Sequence, residues 1–339
     1  MRIGLLFDYP QGGDGLEPTL SLGIAAAGLD PGGVSFVREE TLGLPAGRAE
    51  DTGAGFARLA AAGVDLVIGP SISDNCLVAR DEADRAELPA INYSGGERTR
   101  SDWMFHYQIG SLEEEPPLLV ARMGERGLTR AAVIHDASVV GDRYAEVLGW
   151  CAADAGVELT GHAAIDPLSE DLGAVVSGLR AGAPDVLVYL GLGAASHAVA
   201  TAMADAGWDI PVLANSALMF GYVRPDWRDA WASWEYVDTI ADDNEDRRRL
   251  AAVDAKAAAG PIGTATYDMG RLVGHAVARA ERLDRAGLRE GLERVKQLPA
   301  ASGYAGTLMG FGVCDRGALK GPFLVLRAWR DGRTVQVDR

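Results

Sequence analysis

The sequence predicts an α/β protein built on two separate, mostly parallel sheets. Three observations carry this reading. Strand-length apolar runs alternate with helical stretches, the pattern of parallel strands covered on both faces. The alternation occurs once in the N-terminal part and again, independently, between Ala131 and Phe220. Four strand ends converge in the first set and three in the second, which two sheets explain better than one very large one. At 339 residues the chain is long enough for about two ordinary domains, each with its own core.

Arg2–Asp8 (RIGLLFD) opens the first set as a strand ending in Asp8-Tyr9-Pro10 and the turn-rich stretch Gln11–Gly15. A helix is expected over about Pro18–Gly28, a short strand at Val34–Glu39, and a second helix over about Thr52–Ala62. Asp65–Ile68 (DLVI) is the next strand, followed by the polar loop Gly69–Asn75. A third helix leads to Pro89–Asn92 (PAIN) and then Tyr93-Ser94-Gly95-Gly96. In the second set, Ala131–Asp136 (AAVIHD) is followed by the loop Ala137–Gly141 and a helix over Tyr144–Gly156. Pro184–Leu190 (PDVLVYL) precedes the small-residue loop Gly191–Ser196 and a helix reaching Ala206. Ile210–Ala214 closes the set, with Asn215-Ser216 beyond it. In open α/β sheets ligands bind beyond the carboxyl ends of the strands, so these loops are where function is expected.

Composition narrows the function. The formal net charge of −16 and the lack of clustered Lys/Arg argue against nucleic acid; Arg247–Arg249 is the longest basic run, beside the acidic Asp242–Asp246. No segment reaches the roughly 18–20 apolar residues of a membrane span. Met1-Arg2 runs directly into the first core strand without an apolar leader, so a cytoplasmic location is expected of the sequence as written. A start codon placed too late would instead hide a leader and imply a periplasmic or extracellular location. The three cysteines, Cys76, Cys151 and Cys314, show neither zinc-site nor disulfide-framework spacing.

Reactive machinery is hard to find. The five histidines are widely spaced and none forms HxxxH or HExxH, so no metal is expected. His135, at a strand end, is read as a side chain that helps close its loop. Gly191-Leu-Gly193-Ala-Ala-Ser196 follows a strand and opens a helix, but Ser196 replaces the last glycine of GxGxxG. No acidic strand end follows at the usual distance either, and no Walker motif exists. Ser94 lacks the GxSxG context of a hydrolase elbow. Ser94-Gly95-Gly96 does offer backbone N–H groups unobstructed by side chains, which suits a carboxylate. The chain has loops that bind and little that reacts; no cofactor is expected.

Five segments in order resemble the type I periplasmic binding proteins, in the leucine/isoleucine/valine-binding branch of ABC importers. They are Gly63–Ser73 (GVDLVIGPSIS), Leu88–Thr99 (LPAINYSGGERT), Ala131–Gly141 (AAVIHDASVVG), Ala183–Gly191 (APDVLVYLG) and Gly306–Arg327 (GTLMGFGVCDRGALKGPFLVLR). The last matches the family's final hairpin. The resemblance implies two Rossmann-like lobes joined by three crossings, with ligand held between them. Lobe one would hold residues 1–116 and 243–310, and lobe two residues 117–242 and 311–339. The polar SLEEEPP stretch Ser111–Pro117 and the acidic Ala241–Asp246 segment would serve as crossings.

Carried over residue by residue, the resemblance places ligand contacts at Ser73 and at Ser94, Gly95 and Gly96 in lobe one. In lobe two a family tyrosine falls on Val140, an aromatic on Leu192, and an ammonium-pairing acid near Ser216. Tyr9, Asn75 and Tyr107 are further rim candidates. An α-ammonium buried without a carboxylate partner would cost several kcal/mol, which counts against a free branched-chain amino acid. The expected ligand is a small, largely apolar organic acid or amide, its anionic or carbonyl end on lobe one and its apolar body on lobe two. The resemblance implies the substrate-binding component of an ABC-type importer, partnered by a permease. The alternatives are a cytoplasmic sensor of the same fold acting on a regulatory partner, and an enzyme using Gly191–Ser196 for a nucleotide. Monomer and homodimer are both open.

Overall fold

A computed structural model describes residues 1–9 and 15–337; most of the turn-rich stretch expected at Gln11–Gly15 lies outside the described residues. The chain divides into two compact units. Unit 1 comprises Met1–Ile109 and Thr239–Phe323, and unit 2 comprises Gly110–Asp238 and Leu324–Arg339.

Unit 1 begins with β1 (Arg2–Phe7), α1 (Leu16–Ala26), β2 (Ser35–Glu40), α2 (Ala49–Ala61) and β3 (Leu66–Ile68). It continues with α3 (Ser73–Ala86), β4 (Ala90–Ser94) and β5 (Met104–Gln108). All five strands are parallel, in the order β2-β1-β3-β4-β5. Strands β1, β3, β4 and β5 are almost wholly buried, because helices cover both faces and leave no solvent side on which polar residues would alternate. Strand β5 is not among the expected elements: MFHYQ interleaves polar and aromatic residues and lacks the aliphatic run of its neighbours.

Unit 2 follows with α4 (Glu115–Glu125), β6 (Arg130–Asp136), α5 (Val139–Ala155), β7 (Glu158–Ile165), α6 (Gly173–Arg180) and β8 (Val186–Leu190). Then come α7 (Ser196–Asp205), β9 (Val212–Ala214) and β10 (Trp234–Asp238). Strands β7, β6, β8, β9 and β10 pair in parallel in that order. Helix α5 starts five residues earlier than expected, because the Ser138 side chain accepts the Gly141 N–H and caps it. Strand β7 is also absent from the sequence expectation; it is an edge strand with few buried residues and a glycine, Gly161, inside it.

The chain returns to unit 1 as α8 (Glu245–Val253), α9 (Pro261–Arg279) and α10 (Arg285–Glu293). A three-stranded sheet of β11 (Leu298–Pro299), β12 (Leu308–Met309) and β13 (Leu319–Lys320) follows. Strands β14 (Val325–Arg330) and β15 (Arg333–Gln336) then form an antiparallel hairpin on β10 in unit 2. The tail read as one hairpin is thus two structures. The β12–β13 pair stays in unit 1, bridged through Gly317 to His106, and the chain passes over only after Phe323. The other two passages lie at Ile109/Gly110 and Asp238/Thr239, a few residues before the polar stretches expected to mark them.

Candidate functional site

In unit 1 the strand order reverses between β1 and β3, the switch point at which loops diverge and open a crevice. Asp8, the residue after β1, is buried there and organises the loop after β3. Its Oδ1 accepts the Ser71 N–H at 2.9 Å and the Ser71 hydroxyl at 2.8 Å; its Oδ2 accepts the Ile72 N–H at 2.9 Å and Asn75 Nδ2 at 2.9 Å. Burial raises the Asp8 carboxyl above its usual range, and the four donors oppose that shift. Asn75 also bonds both main-chain groups of Leu44, so this fully buried amide shapes the loop.

Asp8 thereby fixes the start of α3, where Ser73 is the first helical residue. Ser73 Oγ accepts the Gly95 N–H at 3.3 Å, bringing two of the expected ligand contacts together; its own hydroxyl proton remains available to donate. The Ser94 hydroxyl donates to Asn92 Oδ1 at 2.9 Å, and the Ser94 carbonyl accepts His106 Nε2 at 2.8 Å. Because Arg100 Nε donates to His106 Nδ1 at 3.1 Å, the ring proton belongs on Nε2. Burial first, then the Arg100 charge, push His106 down to about 3, so the ring is neutral. Gly96 is held through its carbonyl by the Thr99 hydroxyl. Tyr9 is half-buried, whereas Tyr107 is fully buried with its hydroxyl on Asp268 and Ser302.

Unit 2 repeats the device. Its switch point lies between β6 and β8, and Asp136, the last residue of β6, accepts the Leu192 N–H at 2.7 Å and the Tyr189 hydroxyl at 3.5 Å. A Cβ on Gly191 would sit 2.3–2.5 Å from the Asp136 carboxylate, so only glycine permits this approach. The same geometry disfavours a phosphate on the Gly191–Ser196 loop, since a carboxylate already takes its Leu192 N–H. Val140 lies half-buried in the first turn of α5. His135 holds that turn: its Nε2 lies 3.0 Å from Asp142, and its Nδ1 lies 2.8 Å from His162 Nε2.

At the end of β9, Ser216 directs both its donors inward. Its N–H reaches Glu115 Oε2 at 2.8 Å and its hydroxyl reaches Oε1 at 3.1 Å. Sequence reasoning placed Glu115 in the polar crossing stretch Ser111–Pro117; it is a fully buried carboxyl at the start of α4. A carboxyl thus stands beside Ser216 after all, but a fully buried one committed to donors of the protein itself. The readable signal was a glutamate directly before Pro116-Pro117, a helix start where a carboxyl is favoured.

Among the described residues no group of His, Cys, Asp and Glu is arranged to hold a metal, and no helix is long and apolar enough to cross a membrane.

Comparison with known proteins follows the same line. Residues 45–328 match the family described as periplasmic binding protein. No curated protein matches the sequence. Solved structures similar in fold include a substrate-binding protein of an ABC transporter from Desulfitobacterium hafniense in complex with Leu, at TM-score 0.79 and 18% identity over 99% of both chains. A leucine-binding protein from Thermotoga maritima aligns at TM-score 0.82 and 14% identity, over 99% of this chain and 97% of that one. A solute-binding protein of an ABC transporter from Rhodopseudomonas palustris, in complex with 4-hydroxybenzoate, aligns at 0.82 and 13% identity, over 99% and 95%.

Proposed function

We propose that this chain, which belongs to the periplasmic binding protein family, binds a small, largely apolar organic acid or amide without catalysis, as the substrate-binding component of an ABC-type importer. The observation that carries the reading is the pair of loops around Ser73 and Gly95. They are positioned by buried Asp8 and His106 and offer a hydroxyl proton and glycine backbone to a carboxylate or carbonyl. Val140 and Leu192 supply aliphatic surface at the strand ends of unit 2. Two proteins of the same fold hold an amino acid and a hydroxylated aromatic acid, both small carboxylates with an apolar body.

The reading is tested by native mass spectrometry of the purified protein, followed by a thermal-shift screen of aliphatic and aromatic acids, amides, amino acids and nucleotides. A retained or stabilising small acid or amide supports it. Stabilisation by a dinucleotide alone would replace it with a cofactor-using enzyme.

A further inference from the structure

Unit 2 holds a cavity of about 280 Å³ whose lining includes Arg228, Asp229, Trp329, Arg330 and Asp331. Ala328 of β14 pairs with Glu235, so Trp329 falls level with Trp234, the first residue of β10. The cavity therefore sits at the amino end of β10, away from the carboxyl strand ends that carry Leu192 and Ser216. Arg228 is fixed in two ways. Its Nε donates to the Gly221 carbonyl at 2.5 Å, and its guanidinium lies 4.2 Å from the centre of the Trp329 ring. Trp329 in turn stacks on Tyr236, ring centres 5.3 Å apart and planes 21° from parallel. Asp331 is placed by its turn: Asp331-Gly332, with φ of 51° and 73°, is the two-residue link between β14 and β15, a conformation that an Asp-Gly pair favours. Among the described residues Arg228, Asp229, Arg330 and Asp331 make no ion pair, and the terminal nitrogens of Arg228 have no hydrogen-bond partner. The indole N–H of Trp329, which is 3% exposed, has no acceptor either.

We propose that this cavity is a separate binding site for a small zwitterion, whose carboxylate meets Arg228, whose ammonium meets Asp331 and whose short carbon chain lies against the Trp329 indole. Two guanidiniums and two carboxylates share the cavity without pairing with one another. A simple anion would gain the guanidiniums but face both carboxylates, and a simple cation the reverse; a zwitterion complements both signs at once. An arginine stacked on an indole also keeps its planar fork oriented for a carboxylate. The volume, that of roughly nine liquid waters, suits a short amino acid. All of these residues belong to unit 2, so the site does not depend on what the strand-end loops receive.

The test is ¹⁵N-resolved NMR of the tryptophan indole N–H groups in the full chain, with Trp329 assigned through Trp329→Phe. The probes are glycine, 4-aminobutyrate and 6-aminohexanoate, with butyrate and butylamine as single-charge controls. At least one zwitterion is expected to shift the Trp329 resonance saturably, and butyrate and butylamine to bind at least about fivefold more weakly, the effect of one ion pair at a partly exposed site. Arg228→Gln and Asp331→Asn are each expected to weaken the zwitterion about fivefold, and added salt to weaken it further. Asn tolerates the left-handed backbone of position 331, so Asp331→Asn covers the case in which Arg228→Gln disturbs the packing of Trp329. The assignment is overturned by no saturable Trp329 shift with any zwitterion, by butyrate or butylamine binding as tightly, or by unchanged affinity in folded Asp331→Asn. Zwitterion-induced shifts confined to the Gly95 and Gly96 amides also overturn it, and leave the binding role of the strand-end loops standing.

Discussion

Asp8 and Asp136 hold matching positions in the two units. Each stands at the carboxyl end of the first strand of its sheet, at the point where strand order reverses. Each accepts a main-chain N–H from the loop across that point, Ser71 and Ile72 for Asp8 and Leu192 for Asp136. A crevice at a switch point comes with the fold; what the aspartates add is a fixed loop on one wall of it.

Asp8→Asn should therefore destabilise unit 1 by about 2–4 kcal/mol, since the carboxamide turns an N–H₂ toward donors that lose their acceptor. Asp136→Asn, which weakens the hold on the Leu192 N–H, should cost about 1–2 kcal/mol. Urea unfolding of the two variants against wild type measures both, and equal costs would contradict the ranking.

Ser73→Ala addresses binding separately from stability. Ser73 accepts one long hydrogen bond, from Gly95, so its removal should change the melting temperature by no more than about 2 °C. Affinity for a carboxylate-bearing ligand should fall about tenfold through the lost hydroxyl donor. Calorimetric titration beside a thermal melt gives both numbers.

Two buried groups give stability opposite dependences on pH. Burial lifts Glu115 from 4.5 to about 7 against the pull of the Ser216, Ser111 and Tyr144 donors. The folded protein then holds this proton more tightly than the unfolded chain. Stability from this group is greatest below pH 4.5 and declines as pH rises to 7, by up to about 3 kcal/mol. His106 behaves in reverse. The folded state keeps it neutral down to about 3, while the unfolded ring charges near 6.5, so its contribution is complete above 6.5 and is lost as pH falls toward 3. Unfolding free energies measured from about pH 4 to 8 should lose the declining component in Glu115→Gln and the rising one in His106→Gln. Parallel profiles for wild type and either variant would contradict the corresponding assignment.

The aliphatic strands β1, β3, β4, β6 and β8 were legible in the sequence because a strand buried on both faces must be apolar throughout. Strands β5 and β7 were not, one carrying His106 and Gln108 into the interior and the other lying at a sheet edge. The loops around Ser73 and Gly95 could be placed from their glycine and serine pattern. Glu115 was missed, because its one local signal, a place directly before Pro116-Pro117, marks a helix start and says nothing of the distant Ser216 that it binds. Its role is set by a contact across 101 residues. The tail was misdivided for a related reason: Gly317 pairs with His106, far away in sequence, and this keeps the β12–β13 pair in unit 1.

The central claim is that the two loops linked by the Gly95 N–H to Ser73 Oγ hydrogen bond receive the acid or carbonyl end of a small ligand. It is tested most directly by ¹⁵N-resolved NMR of the Gly95 and Gly96 amides during titration with 4-hydroxybenzoate. The account predicts saturable shifts of both amide resonances in the wild type, with affinity weakened about tenfold in Ser73→Ala. Tight binding with those amides unmoved would place the acid end of the ligand elsewhere and contradict the claim.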